Sequence, residues 1–434
     1  MEKIVIAGNR PLMGDIEVSG MKNSAVAILF ATILTKGKCV IENLPCISDV
    51  SDALLILESV GAKIKMINKT TFEIDTTNIN QGSAPYNLIR KMRASYYILG
   101  AELARFGKAR CAYPGGCDFG VRPIDQHVKG FEALGAEVKT VEGGYIECDT
   151  EKNGGLFANA VFMDIVSVGA TINVMLAATM AKGMTIIENA AREPHVVDLA
   201  NFLNAAGADI SGAGTNVIKI RGVSQMHGVT YAIVPDMIEA GTYMCAAAAT
   251  HGNLLVKNVI PKHLESVSAK LTEMGAVVEE FDDSVRVSRD AMKRLSRASV
   301  QTMPYPGFPT DMNPQIGTLM CIADGTCTLT EGVWENRFRY TDELKSMGAD
   351  VKVDGRMAVF QGVECLNGAT VKAVDLRAGA AMIIAGLCAN GTTYIEDIGH
   401  IKRGYENIVE KLQKVGADIK LCQFADENSI DKAN

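Results

Sequence analysis

One phrase occurs six times in this chain: Leu or Phe, two residues, an apolar residue, Gly-Ala, one residue, an apolar residue. The copies begin at Leu57, Phe131, Leu203, Leu271, Leu344 and Leu412, and their glycines are Gly61, Gly135, Gly207, Gly275, Gly348 and Gly416. Successive glycines stand 68 to 74 residues apart. A second series, Gly37, Gly107, Gly183, Gly252, Gly325 and Gly391, interleaves with the first at intervals of 66 to 76. Two independent markers keeping one period of about 70 identify an internal repeat, in which each copy is one supersecondary unit.

The phrase reads as a helix end followed by a strand. Its two leading apolar residues share one helical face. The glycine behind them suits the left-handed position that closes a helix and that a side chain opposes. The next residues alternate and turn back at Asn68-Lys69, Gly143-Gly144, residues 212–216, Asp282-Asp283 and Asp354-Gly355, so a β-hairpin follows. Ahead of the second glycine series stand Ala-rich, nearly uncharged stretches: residues 25–34, 94–106, 170–181, 243–250, 316–323 and 378–389. A helix apolar on nearly all sides is a buried helix. One unit therefore reads strand, buried helix, strand, amphipathic helix, strand, strand.

Six such helices pack most simply as two groups of three, with sheets and amphipathic helices outside. The expected fold class is α/β, with two domains of three βαβαββ units each. Residues 22–234 form the first domain, and residues 1–21 with 235–434 form the second. The crossover is expected near residues 228–235, the first strand is expected to pair with the last unit, and the polar tail 424–434 is expected to be disordered.

Composition narrows the function. The chain is 48% hydrophobic and 21% charged, which suits a globular protein with ample core. A net charge of −7 argues against nucleic-acid or acidic-membrane partners. Eleven cysteines with no C-x-x-C pair, and no leader after Met1-Glu2, point to a reducing cytosol. The longest uncharged stretches, 165–181 and 378–395, are interrupted by Gly, Asn and Thr and are read as buried helices, so no membrane span is expected. The six histidines lack metal-ligand spacing and no phosphate-loop motif exists, so neither metal nor cofactor is expected.

Chemistry is expected where the buried helices begin. Three roughly parallel helices per domain aim their N-termini one way, and two such domains face each other across a cleft that favours anions. Lys22-Asn23-Ser24, Met92-Arg93-Ala94-Ser95 and Ser167-Val168-Gly169 open the first three helices; Asp236 and Glu239, Asp311, and Asp375-Leu376-Arg377 precede the others. Helix capping accounts for Ser24 and Asp311 as well as anion binding does. Lys22, Arg93 and Arg377 are cations where the helix dipole disfavours them, which favours an anionic ligand. An anion there relieves repulsion, so closure on ligand binding is expected. Three glycines surround Cys117, with Arg122 close behind, as suits a reactive thiol or general acid on a loop; an incidental surface cysteine is the plainer reading. Three prolines between 304 and 309 stiffen the approach to Asp311, as suits a carboxylate base. Lys402 and Arg403 in the run from His400 to Glu406 form a solvated face or a phosphate grip.

These residues carry a resemblance to the enolpyruvyl transferases, and within them to the branch that acts on UDP-N-acetylglucosamine. It covers nearly the whole chain through Ser19-Gly-Met-Lys-Asn23, Met92-Arg-Ala-Ser95, Pro114-Gly-Gly-Cys117 with Arg122-Pro123, Ser167-Val-Gly-Ala-Thr171, Glu188-Asn-Ala-Ala-Arg-Glu-Pro194, Phe308-Pro-Thr-Asp311, Glu335-Asn-Arg-Phe338, Asp375-Leu-Arg377 and Arg403-Gly-Tyr-Glu406. The resemblance implies two inside-out α/β domains and transfer of enolpyruvate from phosphoenolpyruvate to the 3′-hydroxyl of UDP-N-acetylglucosamine, through a tetrahedral ketal. That reaction opens peptidoglycan synthesis. Matched position by position, Cys117 is the acid that protonates phosphoenolpyruvate and the residue that fosfomycin alkylates. Asp311 is the carboxylate at the attacking hydroxyl. Lys22, Arg122 and Arg403 surround phosphoenolpyruvate, with Arg93 and Arg377 as further active-site arginines. Asn23, Val333, Arg122, Pro123, Ile124, Asp125, Gln126, Ser167, Val168 and Gly169 match sugar-nucleotide contacts, a set that Arg93 and Asp311 join.

Two positions depart from the family pattern. Ile165 stands where many relatives have Lys, which puts one diphosphate contact in doubt, and Trp334 stands where Phe is common. Two rivals remain: the sister enzyme acting on shikimate 3-phosphate, and a non-catalytic paralogue that binds UDP-sugar and regulates.

Overall fold

The computed structural model describes residues 2–80, 84–113 and 123–424. The chain divides into two compact domains, Gly20–Val234 and Met1–Ser19 with Pro235–Asn434.

The first domain is built on the helices Lys22–Ala31, Tyr97–Phe106 and Val168–Ala178, which are buried along most of their length. Three sheets surround them. One runs in the order Thr230–Ala232, Lys38–Glu42, Thr71–Asp75, Lys63–Asn68; one in the order Asp209–Ser211, Val217–Arg221, Met184–Glu188, Ala160–Phe162. The third has only Lys108–Ala112, Tyr145–Asp149 and Glu137–Val141, and the short helix Tyr86–Ile89 stands where the repeat predicts a leading strand.

The second domain repeats the plan around Met237–Ala249, Asn313–Cys321 and Leu376–Cys388. Truncating a core side chain such as Leu319 to Ala should cost about 2–5 kcal/mol. The first strand, Glu2–Ala7, lies antiparallel between Thr392–Glu396 and Asp418–Gln423, with Ile4 opposite Ile395 and Leu421. Among the described residues it is the antiparallel partner of Asp418–Gln423, the position that the second hairpin strand holds in the other units. The leading strands of the first and fourth units are exchanged. Met13–Glu17 precedes the first buried helix but pairs in parallel with Asn253–Lys257, while Thr230–Ala232 precedes the fourth and pairs in parallel with Lys38–Glu42.

The helix-end glycines behave as the repeat predicts. Gly61, Gly135, Gly207, Gly275, Gly348 and Gly416 all have φ between +91° and +104°, a region that a side chain opposes. In the second series Gly252 departs: His251 takes the positive φ of 52°, and a Cβ on Gly252 would stand 2.5 Å from the Leu12 carbonyl. A third marker escapes the sequence reading. Asn43, Asn189, Asn258 and Asp397, each just after a strand, hold φ of 54–57°. The amides of the three asparagines donate to the carbonyls of Ile233, Met163 and Val18 at 2.7–2.8 Å. Each carbonyl lies just past the leading strand of that sheet, so the asparagine ties the strand end where the chain enters a buried helix.

Two expectations need correction. Five of the six buried helices begin earlier than charge patterning suggests, at Met237 rather than 243 for example, because Asp236 caps that helix and the buried Glu239 lies within its first turn, whereas the second begins later, at Tyr97, behind the 3-10 turn Arg93–Tyr96. Neither Ser24 nor Asp311 is a cap: Ser24 lies inside its helix, and no side chain caps Asn313–Cys321. Of the tail, Phe424 packs its ring 6.2 Å from Tyr394 and 5.2 Å from the Lys3 ammonium, and residues 425–434 lie outside the described residues.

Glu102 is a buried carboxyl, 2% exposed, on Tyr97–Phe106. Burial pushes its pKa up to about 8. The folded chain therefore keeps a proton that the unfolded chain gives up near pH 4.5, so stability falls as pH rises between those values. Glu102→Gln should abolish this loss and stabilise the first domain by a few kcal/mol at pH 8, with little effect at pH 4.5. Urea midpoints at the two pH values check this, and an equal shift at both would contradict it.

Candidate active site

In the first domain the expected residues gather at helix starts. Lys22 is the first residue of Lys22–Ala31, and its Nζ pairs with Asp49 Oδ2 at 3.0 Å; Asp49 is 2% exposed. Ser24, two residues on, donates to Asp198 Oδ2, whose carboxylate also accepts from Tyr231 Oη at 2.5 Å and Val234 N at 3.3 Å. Burial raises the Asp198 pKa against these bonds. The network fixes the backbone that presents Lys22 and Asn23. The same helix packs on the 3-10 turn Arg93–Tyr96, in which Arg93 lies 5.4 Å from the Tyr96 ring centre.

A second group adjoins that turn. Tyr96 meets His127 edge-on at 4.6 Å, and Asn173 donates to the Tyr96 carbonyl and contacts His127 Nδ1 at 3.0 Å. Burial, then Arg93, depresses the His127 pKa to about 3, so the ring is neutral. Gly169 lies so close that a Cβ would stand 2.2 Å from Tyr96 Oη and 3.2 Å from His127, so only glycine fits there. Ser167 caps Val168–Ala178 by accepting from Ala170 N. Gln126, behind Pro123, Ile124 and Asp125, donates to Asp164 at 3.1 Å and accepts from its amide at 2.9 Å. The structure thus joins three segments far apart in sequence, 93–96, 124–127 and 167–169. At position 165, where the family pattern has Lys, Ile165 is 61% exposed; Lys129 pairs with the adjacent Asp164 at 2.7 Å. Cys117 and Arg122 lie outside the described residues.

In the second domain Asp311 sits in the 3-10 turn Thr310–Met312, directly ahead of Asn313–Cys321. Its Oδ2 accepts from Arg377 Nε at 3.1 Å and Nη2 at 3.0 Å, and its Oδ1 from Arg337 Nη2 at 3.3 Å. Both arginines are at least 95% buried, whereas the Asp311 side chain is 30% exposed. Burial opposes the charge on Arg377, but Asp311, Tyr405 and Asp236 outweigh it and raise its pKa. The Arg377 guanidinium also lies 5.5 Å from the Tyr405 ring, whose hydroxyl contacts Thr242 at 3.0 Å and accepts from Gln315 at 3.3 Å. Arg403 is half-buried after the short helix Gly399–Lys402.

Sequence reasoning missed three groups here. Arg337 lies inside a quoted motif without an assigned role, in a charged segment that reads as surface. Asp49, in the first turn of an amphipathic helix, reads as a dipole-favoured charge. Glu331 is wholly buried: it accepts from Thr310 at 3.0 Å, Asn313 at 2.8 Å and the amides of Val333 and Trp334 at 2.8 and 3.1 Å. It locks the turn bearing Val333 to the segment bearing Asp311. No cluster of the described residues is placed to hold a metal ion, and no described helix is long and apolar enough to cross a membrane.

Cations at helix starts suit anionic substrates, and a partly exposed carboxylate on a rigid mount suits a hydroxyl. Comparisons with known proteins agree with that chemistry. Residues 6–412 match the family model described as EPSP synthase (3-phosphoshikimate 1-carboxyvinyltransferase). A UDP-N-acetylglucosamine 1-carboxyvinyltransferase 3 from Caldanaerobacter subterraneus subsp. tengcongensis is 55% identical, spanning 96% of this chain and 99% of its own. A UDP-N-acetylglucosamine 1-carboxyvinyltransferase from Clostridium botulinum is 54% identical with the same coverage. Among solved structures, the enolpyruvyl transferase NikO from Streptomyces tendae superposes with a TM-score of 0.88 at 26% identity, over 98% of this chain and 99% of its own. EPSP synthase from Acinetobacter baumannii superposes at 0.74 and 19% identity, over 98% and 100%, and shares the fold.

Proposed function

The chain belongs to the enolpyruvyl transferase family, and we propose for it the transfer of enolpyruvate from phosphoenolpyruvate to the 3′-hydroxyl of UDP-N-acetylglucosamine, with release of phosphate. Identity above one half, over nearly the full length of relatives bearing that activity in their names, carries this reading. The matched family model is named for the shikimate enzyme, but the shikimate-type structure shares only 19% identity with this chain.

The roles follow from chemistry. Cys117 protonates the methylene carbon of phosphoenolpyruvate, which makes C2 electrophilic. The sugar 3′-oxygen bonds to C2 while Asp311 takes its proton, giving a ketal. The methyl carbon then loses a proton, the C2–O bond to phosphate breaks, and the vinyl ether forms. Lys22, Arg93, Arg122, Arg377 and Arg403 balance the phosphate and carboxylate charges. Asn23, Pro123, Ile124, Asp125, Gln126, Ser167, Val168, Gly169 and Val333 hold the sugar nucleotide. The activity opens peptidoglycan synthesis in the cytoplasm, supports growth and division, and makes the chain a fosfomycin target.

Turnover in deuterium oxide tests this path. Because the methyl carbon gains a solvent proton before losing one, deuterium is expected in the vinyl methylene of the product. A product free of deuterium would exclude addition and elimination through the ketal. With shikimate 3-phosphate as acceptor no product is expected, and equal turnover would favour the sister activity.

A further inference from the structure

We propose that the second domain holds a small-oxyanion site, built on Arg289, at the C-terminal ends of its three buried helices. Arg289 is 8% exposed, and its Nη2 makes one long bond, 3.4 Å to the Ala249 carbonyl. Its buried Nε has no acceptor among the described residues, and its one hydrogen bond there is to a carbonyl rather than a carboxylate. Buried charges are ordinarily paired, because desolvation costs more than one weak hydrogen bond returns. A guanidinium left this way presents a donor edge to an acceptor from outside the chain.

The surroundings provide room and further polar groups. Arg289 lines a cavity of about 120 Å³ with His251, Arg294, Asn390, Cys365 and Glu364. His251 Nδ1 is also buried without a partner among the described residues. Arg294 donates to the carbonyls of Ala323 and Val363 at 3.1 and 2.8 Å and pairs with Asp324 Oδ1 at 3.5 Å, so it is fixed at the rim of the cavity. Glu364, the one carboxylate on the lining, is exposed. The volume holds several water-sized groups, which suits a phosphate or short carboxylate rather than a nucleotide. Arg377 stands at the opposite end of Leu376–Cys388, 13 residues long and so about 20 Å away. The site is thus separate from the residues placed on the reaction, and the same helix links the two.

The half-buried Cys365 reports on the cavity in the full, unmodified chain. Iodoacetamide labelling is followed by peptide mass spectrometry in inorganic phosphate, in acetate, and in choline chloride at matched ionic strength. Phosphate or acetate should slow Cys365 labelling by at least about fivefold. The exposed Cys46 should keep its rate. The more protective anion identifies the phosphate or carboxylate class. In Arg289→Met the protection should vanish, while its melting temperature without added oxyanion should be no lower than the parent's, because an uncompensated buried charge is gone. No protection in the parent chain, or equal protection in Arg289→Met, overturns the proposal; if the variant does not fold, the parent's Cys365 result alone decides.

Discussion

Asp311→Asn is expected to bind UDP-N-acetylglucosamine and to lose turnover by at least about a hundredfold. An amide keeps the shape of the carboxylate but is a very poor proton acceptor. The geometry adds a second reason. Arg377 binds Oδ2 through two nitrogens and Arg337 binds Oδ1 at 3.3 Å, so both carboxylate oxygens serve as acceptors, which an amide with one acceptor oxygen cannot reproduce. In the proposed reaction Asp311 takes the proton as the 3′-oxygen bonds to C2 and the hydroxyl becomes acidic. Asparagine also removes the carboxylate charge that both buried arginines meet at this position, which should cost about 3–5 kcal/mol of stability. A melting curve and a ligand titration therefore accompany the rate measurement. Near-native kcat in a folded variant would remove Asp311 from the reaction.

Cys117 is expected to carry the fosfomycin adduct, with complete loss of labelling in Cys117→Ser. Its thiolate opens the epoxide, forming an S–C bond as the C–O bond breaks. Five of the other cysteines are poor competitors. Burial pushes the thiol pKa of Cys148 and Cys388 up to about 12 and that of Cys111, Cys245 and Cys321 higher still, and the thiolate is the nucleophile. Cys117→Asp should resist labelling yet keep activity, since a carboxylic acid also donates a proton. Labelling should be faster with UDP-N-acetylglucosamine present. Peptide mass spectrometry decides: an adduct on another cysteine, with Cys117 unmodified, would contradict the assignment.

The legible part of the fold is the part that obeys a local rule. A glycine with positive φ closes each amphipathic helix because no side chain tolerates that turn, and the phrase around it is short enough to read six times. Strand partners obey no local rule. Nothing within residues 13–17 says that they pair with 253–257, whereas the pairing of Glu2–Ala7 with the last unit was legible only through the repeat as a whole. The asparagine turns were equally hidden, since asparagine is common in loops and the bonded carbonyl can lie 190 or more positions away. At the site, charge at helix starts pointed to Lys22, Arg93 and Arg377. It did not show that Asp49 pairs with Lys22, that Arg337 joins Arg377 on Asp311, or that Glu331 locks the Val333 turn. Those partners are long-range, and each reads singly as an ordinary surface charge.

The most direct test is phosphate release by the purified full chain from phosphoenolpyruvate alone, with UDP-N-acetylglucosamine, and with shikimate 3-phosphate. Release is expected only with UDP-N-acetylglucosamine, matching enolpyruvyl sugar nucleotide mole for mole. Release that is absent with UDP-N-acetylglucosamine, or supported only by shikimate 3-phosphate, would contradict it.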